Sequence, residues 1–484
     1  LKVTIDPVTR LEGHGKIEIF LDDEGNVANT YLQIPELRGF EKFCEGRRVE
    51  EMPNITSRIC GVCPEAHSMA SLKALDSVFQ VEPSSPVKKI RELLYSAFQF
   101  ADKMTNFYIL SGPDFIVGPE SNPEERNILG VINKVGKEVG ISVIKHRLMG
   151  HKIIQLIGGR QVHSNYAVPG GISKPISTEE CNEIRKMAES MVNFSKYTIN
   201  LFDDFVLKNQ KIMDMILSEN FSLRTYYMGT VDEKNRVNFY DGNIRIVNPE
   251  GKEIAKYSDV DYQKYIEEGV EPWTYLKFPY LKKIGWKGLV EGENSGVYSA
   301  YPLSRFNAAE GMATPLAQEE YEKMNKSLGG KPVHYILAAH WARLIEMMYA
   351  AERTLELIND PEITEKDVRP VITTTPTEGV GHVEAPRGTL IHHYLTDEKG
   401  IIKKVNLIVG TTNNYAPMNI SIKKAAKSVI KNGKVSESSL NKIEMALRAY
   451  DPCMACATHT WSGDDSFSIN VIGVDGTILK SYKI

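Results

Sequence analysis

Apolar positions along the chain follow two different periods. Lys2-Val-Thr-Ile5 and Gly15-Lys-Ile-Glu-Ile-Phe20 alternate apolar and polar residues, and Asp22-Asp-Glu-Gly25 marks a turn before the stretch from Val27 to Ile34. Alternation of this kind belongs to half-buried strands and predicts an antiparallel meander over residues 1–34. From Pro86 to Leu110 the spacing lengthens to that of a helix, with Ile90, Leu93, Leu94, Phe98 and Ala101 on one stripe. A second helix is predicted over about Glu138 to Leu156. A third starts at Ser177, which has capping-box spacing to Glu180, and its stripe of Ile184, Met187, Met191, Phe194 and Phe202 carries it beyond Phe205. A fourth covers about Tyr335 to Ile358. Four long amphipathic helices imply a bundle core. Between Ser222 and Gly296 the texture changes to short strands and turns rich in Tyr, Trp and Gly, including Asn238-Phe-Tyr-Asp-Gly-Asn-Ile-Arg-Ile246, which predicts a peripheral β-rich insertion over residues 222–296. The stretch from Val371 to Asn419 shows neither period and reads as a second irregular region. The fold class expected is α+β, mainly helical.

Composition narrows the function classes. The 58 basic and 62 acidic residues are mixed throughout and leave a net charge of -4, so no electrostatic footprint for nucleic acid or an anionic membrane surface is present. No apolar run approaches the roughly 18 residues of a membrane span, and the first residues read as a strand, not a signal peptide. With 484 residues the length alone suggests more than one domain. The cysteines point the other way.

Four of the six cysteines form two matched pairs near opposite ends of the chain, in Arg58-Ile-Cys-Gly-Val-Cys-Pro-Glu-Ala-His67 and Asp451-Pro-Cys-Met-Ala-Cys-Ala-Thr-His459. If both pairs serve one metal, the chain between them folds around that junction as a single interleaved body over residues 1–484. So few cysteines in so long a chain read as reduced metal ligands in preference to disulfides. Four thiolates suit zinc, an iron-sulfur cluster or a soft-binding metal such as nickel. Zinc ribbons close their two pairs within a few tens of residues, which weighs against that option. Cys44 and Cys181 have no matching partners.

The two cysteine stretches, with Arg10-Leu-Glu-Gly-His14, Arg38-Gly-Phe-Glu41, Gly159-Arg-x-x-His163, Val168-Pro-Gly-Gly171, Glu384-Ala-Pro-Arg-Gly388 and Thr411-Thr412 in the same order, resemble the large subunit of nickel-iron hydrogenases, most like the methyl-viologen-reducing, cofactor-linked type. The resemblance covers essentially the whole length. It implies a Ni-Fe centre with cyanide and carbon monoxide on the iron. Cys60, Cys63, Cys453 and Cys456 would hold the nickel, with Cys63 and Cys456 bridging to iron. Glu12 would take a proton from Cys453. Arg387 would stand over the metals with Asp114 and Asp451 as its carboxylate companions. Pro386 and Thr412 would surround the diatomic ligands, His67 would sit beside a bridging thiolate, and His163 would face a cluster of a partner subunit. Glu41, His459 and the backbone carbonyl of Leu407 would bind Mg2+. Gly410 and Asn413 depart from the proline and tryptophan common in the family.

The activity so implied is the interconversion of H2 with two protons and two electrons. No ligands remain in the chain for iron-sulfur clusters. An iron-sulfur small subunit is therefore expected, with further electron-transfer subunits, in a cytoplasmic complex. Two rivals are a H2-sensing regulatory relative and a non-catalytic scaffold relative lacking the cysteines. Many relatives are cut just after the position of His459. Here residues 460–484 are expected to stay as a hairpin tail, with Ser468-Ile-Asn-Val-Ile-Gly-Val and Thr477-Ile-Leu-Lys around Asp475-Gly476.

Overall fold

The computed structural model describes residues 1–460, 468–472 and 478–483. Its centre is a ring of four long helices, Ser85–Thr105, Lys137–Gly158, Thr178–Phe202 and Ala339–Ile358. The first packs on the second and fourth, and the third closes the ring against both of those. Ser177 caps the third helix as its sequence predicts: its hydroxyl accepts from Glu180 N and the Glu180 carboxylate accepts from Ser177 N. The first helix departs from its predicted end. Beyond Thr105 the coil widens into π turns over Asn106–Ser111 and Pro113–Val117, where Pro113 offers no N–H to a regular helical ladder.

Three strands at the N-terminus, Lys2–Ile5, Lys16–Leu21 and Val27–Gln33, form the antiparallel meander in chain order. Tyr226–Val231, Asn243–Val247 and Glu253–Tyr257 form a sheet that Tyr298–Ser299 joins in parallel, and Ile266–Glu271 pairs with Thr274–Leu281 beside it. The Tyr226–Val231 strand is buried along its whole length and reaches the molecular core, where Thr230 N donates to Glu384 Oε1 at 2.7 Å.

The expectation of an irregular region over Val371 to Asn419 is overturned. Glu378–Ala385, Gly388–Thr396 and Ile402–Ile408 form a three-stranded antiparallel sheet laid against the helix Pro64–Val78. Both faces of its first strand are buried, so no apolar-polar alternation marks it. Gly381 shows how close the packing is: a Cβ there would collide with the backbone of Ala74 in the helix.

This sheet and the helices Tyr415–Val429 and Glu437–Arg448 deliver the second cysteine stretch to the first. Arg38 ties the two together, its guanidinium donating to Ile59 O, Ala455 O and Thr458 Oγ1. Glu41 N donates to His459 O, and Glu12 bridges in parallel to Cys453. Ser468–Ile472 pairs antiparallel with Ile478–Lys483; the turn expected at Asp475-Gly476 lies outside the described residues. Among the described residues no helix is long and apolar enough to cross a membrane.

Candidate metal centre

Each cysteine pair lies at the start of a helical turn. Cys63 precedes the helix Pro64–Val78, and Cys453 precedes the short turn Met454–Ala457. The backbone just ahead of the first of these helices points N–H groups at Cys60 Sγ, which favours thiolate there. Val62 N and Cys63 N donate to Cys60 Sγ at 3.2 and 3.1 Å. Across the junction Cys60 Sγ lies 3.2 Å from Cys453 Sγ, and Cys63 Sγ lies 3.2 Å from Cys456 Sγ. All four are buried and free of disulfides, with their sulfurs within 4.8 Å of one another. They are the one group of three or more His, Cys, Asp or Glu side chains able to hold a metal ion among the described residues.

Four thiols in so small a volume cannot all ionise without a cation. Burial pushes the Cys453 and Cys456 thiols far above the usual range, while hydrogen bonds from the other sulfurs, with the Arg387 charge, bring Cys60 well below it despite its burial. A soft metal cation removes that conflict by taking the protons' place.

Glu12 stands at the rim with Oε2 2.9 Å from Cys453 Sγ, and Ala455 N donates to the same oxygen at 3.1 Å. Burial, then the neighbouring Cys60 charge, raise its pKa. Arg387 is buried close to the thiols of Cys63 and Cys453. Its Nε donates to Asp451 O at 2.8 Å, its Nη1 to Asp102 Oδ2 at 3.0 Å, and its Nη2 lies 3.1 Å from Asp451 Oδ2. Asp451 is thus the companion expected, but Asp114 is not. Asp114 instead receives Arg10 Nη2 at 2.6 Å and Arg448 Nε at 2.9 Å, and Asp102 takes the place assigned to it beside Arg387. Asp102 lies on the regular helix and Asp114 on the widened coil beyond it, so the two aspartates face different arginines.

Sequence reasoning also missed what fixes the Pro386 backbone. Its carbonyl accepts from Lys103 Nζ at 2.9 Å and Arg305 Nη2 at 3.1 Å. Both cations are fully buried and share Glu346, and Arg305 also binds Glu384. A signal was present: Asp102 and Lys103 follow directly on the apolar stripe of Phe98 and Ala101, where a charged pair is out of place.

Thr411 Oγ1 accepts from Cys453 N at 3.1 Å, whereas Thr412 Oγ1 is buried with no hydrogen-bond partner among the described residues. Asp102 Oδ1 shares that condition, and Asp451 Oδ2 has only its ion pair with Arg387. Convergent sulfurs with unpartnered buried oxygens nearby fit a group lodged between them. His67, expected beside a thiolate, has its Nδ1 3.3 Å from His392 Nε2, and burial lowers its pKa to about 4. His163 stands at a left-handed φ of 52°, beside Arg58 and the Cys60 loop.

Glu41 is buried and accepts from Leu407 N on Oε1 at 2.9 Å, with Lys277 Nζ 3.4 Å from Oε2. His459 Nε2 lies 2.8 Å from Leu407 O and 4.0 Å from Glu41 Oε1, while its Nδ1 lies 2.8 Å from Cys456 O. Burial lowers the His459 pKa, and a neutral imidazole has a single N–H for two carbonyl oxygens. One nitrogen lone pair therefore faces an acceptor, an arrangement that a cation between them would resolve.

Fold and site together define a large chain wrapped around one buried tetrathiolate metal centre. Two family models match it in succession: a "HoxL-like" model over residues 2–37 and "Nickel-dependent hydrogenase" over residues 38–120 and 204–459. An F420-non-reducing hydrogenase iron-sulfur subunit of Archaeoglobus profundus is 47% identical over 483 residues, covering 100% of this chain and 99% of that one. The NAD-reducing hydrogenase HoxS subunit beta of Cupriavidus necator is 35% identical over 495 residues, covering 99% and 98%. In structure, a chain of the NAD+-reducing [NiFe]-hydrogenase in the H2-reduced state matches with a TM-score of 0.89 at 34% identity, over 95% of this chain and 99% of that one. The chain belongs to the nickel-dependent hydrogenase family. It is the large, catalytic subunit of a nickel-iron hydrogenase, and its buried four-cysteine cluster, in a nickel-dependent family, implies a Ni-Fe centre.

Proposed function

We propose that Cys453 and Glu12 form the proton gate of this hydrogenase and that Arg387, with Asp102 and Asp451, is its fixed cation. The observation that carries the reading is the 2.9 Å contact of Cys453 Sγ with Glu12 Oε2, on a glutamate whose pKa burial raises towards the working range. The Ni-Fe group, when bound, supplies the place where H2 is split into two protons and two electrons. Cys60 and Cys453 would bind nickel alone, and Cys63 and Cys456 would be shared with iron, in keeping with the pairing of their sulfurs. Cys453 Sγ then receives a proton and passes it to Glu12 Oε2, which is half-buried and opens towards the exposed Gly13 and His14. Arg387 stays charged, because Asp102 and Asp451 outweigh the cost of its burial, and orients the site electrostatically.

Cyanide and carbon monoxide on the iron belong to the same reading, with Thr412 Oγ1 as donor and Pro386 as apolar wall. So does a Mg2+ held by Glu41 Oε1, Leu407 O and His459 Nε2. Lys277 competes there by neutralising the other oxygen of Glu41. Electrons leave through the exposed Cys60 loop and the neighbouring His163 to an iron-sulfur small subunit in a cytoplasmic complex. The test is H2-dependent viologen reduction by the purified complex. Sustained turnover supports the enzyme reading; H2 binding with negligible turnover supports the sensing one.

A further inference from the structure

Asp114, displaced from Arg387, needs another role. We propose that the cluster of Arg10, Asp114 and Arg448 is a positioning device that holds Glu12 within proton-transfer distance of Cys453; it rests on the reading of Glu12 as proton acceptor.

Glu12 lies on the connection between the first two strands, a segment with no regular structure of its own. Arg10 stands in that segment at φ 55°, a left-handed conformation disfavoured for a residue with a Cβ and kept only where the surroundings over-determine it. The surroundings do so here. Arg10 Nη1 donates to Leu110 O at 3.0 Å, and Nη2 donates to Asp114 Oδ1 at 2.6 Å and Asn441 Oδ1 at 3.2 Å. Arg448 donates from Nε to Asp114 Oδ2 at 2.9 Å and from Nη1 to Thr9 O at 3.2 Å and Glu444 Oε2 at 3.1 Å. Glu444 Oε1 accepts from Thr9 N at 2.8 Å. Residues 9 and 10 are therefore tied by main chain and side chain to the π turn Pro113–Val117 and the helix Glu437–Arg448.

The far side of the loop is held by the cysteine stretch itself. Met454 N donates to Glu12 O at 2.9 Å, and a Cβ on Gly13 would come within 2.8 Å of Ala455 N, so the loop presses directly on that backbone. Arg448 ends the helix that runs into Asp451–Ala457. One rigid body thus places the sulfur that gives the proton and the loop that receives it. Proton transfer needs heavy atoms within about 2.6–3.2 Å, and a displacement of about 1 Å costs on the order of 10²-fold in rate. A cluster that merely stabilised the fold would have no special influence on that one distance.

The test uses the purified complex carrying Arg10→Met, Asp114→Asn, Arg10→Lys or Glu12→Gln. Nickel and iron content, conversion of para- to ortho-hydrogen, and formation of HD from D2 in H2O are measured on each. Conversion requires splitting and rejoining H2 in place, whereas HD formation requires the proton to reach solvent. In Arg10→Met and Asp114→Asn the metals and the conversion are retained while HD formation falls about tenfold or more, and Arg10→Lys recovers part of it. HD formation within about twofold of the unaltered enzyme in Arg10→Met and Asp114→Asn, with Glu12→Gln blocked, overturns the positioning role alone. Unimpaired exchange in Glu12→Gln overturns the Glu12 reading and the positioning role together. Activity that falls only in proportion to lost nickel, in Asp114→Asn and Arg10→Lys as well as Arg10→Met, assigns the cluster to metal retention and also overturns it.

Discussion

Two buried ionic clusters flank the thiolates and use their carboxylates in opposite ways. Around Asp114 every oxygen is engaged: Oδ1 accepts from Arg10 and Asn441, and Oδ2 from Arg448. Around Arg387, one oxygen of Asp102 has no hydrogen-bond partner among the described residues, nor has the hydroxyl of nearby Thr412, and Asp451 Oδ2 is held by the Arg387 ion pair alone. Leaving a buried acceptor unpaired costs about 1–3 kcal/mol, so such atoms persist where something else uses them. The saturated cluster has nothing left to offer a ligand and holds backbone; the unsaturated one faces the metal pocket. Residue type alone would not separate them, since each consists of arginines and aspartates.

Substitutions test that division. The largest effect is expected at Glu12, between the two clusters: Glu12→Gln keeps the shape but not the basicity, and H2 oxidation should fall by about 10²–10⁴-fold with nickel retained, read by viologen reduction alongside metal analysis. Next is Arg387→Lys on the unsaturated side. Lysine keeps the charge but not the fork that reaches Asp102 and Asp451 at once, and a loss of about 10²–10³-fold in kcat with little change in thermal midpoint is expected. Comparable loss of stability there would erase the contrast.

On the saturated side, Asp114→Asn removes the anion shared by two buried arginines and should cost roughly 3–5 kcal/mol in stability, measured by denaturant unfolding. The same pairing predicts a pH dependence. Burial pushes the Asp114 pKa up, but Arg448 and Arg10 outweigh it and hold the carboxyl below its ordinary value. Its stabilisation is therefore complete above about pH 4 and is lost as the pH falls through the lower folded value. Thermal midpoints taken from neutral pH downwards should show that acid limb in the unaltered protein and a shallower one in Asp114→Asn. The smallest effect belongs to a site remote from both clusters: Ser177→Ala removes one cap of a bundle helix and should cost about 1 kcal/mol with unchanged kcat.

Much of this was legible in sequence, and the exceptions have physical causes. The bundle helices Lys137–Gly158 and Thr178–Phe202 announce themselves because one face of each meets solvent, whereas Ala339–Ile358 is buried all round as far as Ala351 and shows by its length. The sheet over Glu378–Ile408 does not, because its first strand is covered on both faces and Gly381 replaces a side chain where the backbone touches a helix. The cysteine pairs, Glu12 and Arg387 were readable from spacing and family pattern. Asp102 was not, because the choice between two aspartates 12 positions apart on one coil turns on where the α-helix widens into π turns after Thr105. Lys103, Arg305 and Glu346 come from separate helices, and no local pattern links them. Their charged side chains at otherwise apolar positions were the available sign.

The central claim is that the four thiolates hold nickel and iron in one site, and metal analysis of the purified native complex tests it most directly. The account predicts nickel in the complex that Cys60→Ser and Cys456→Ser each remove together with one matching equivalent of iron, leaving the iron of any partner chain unchanged. Stoichiometric zinc in place of nickel, held by the same cysteines, would contradict it.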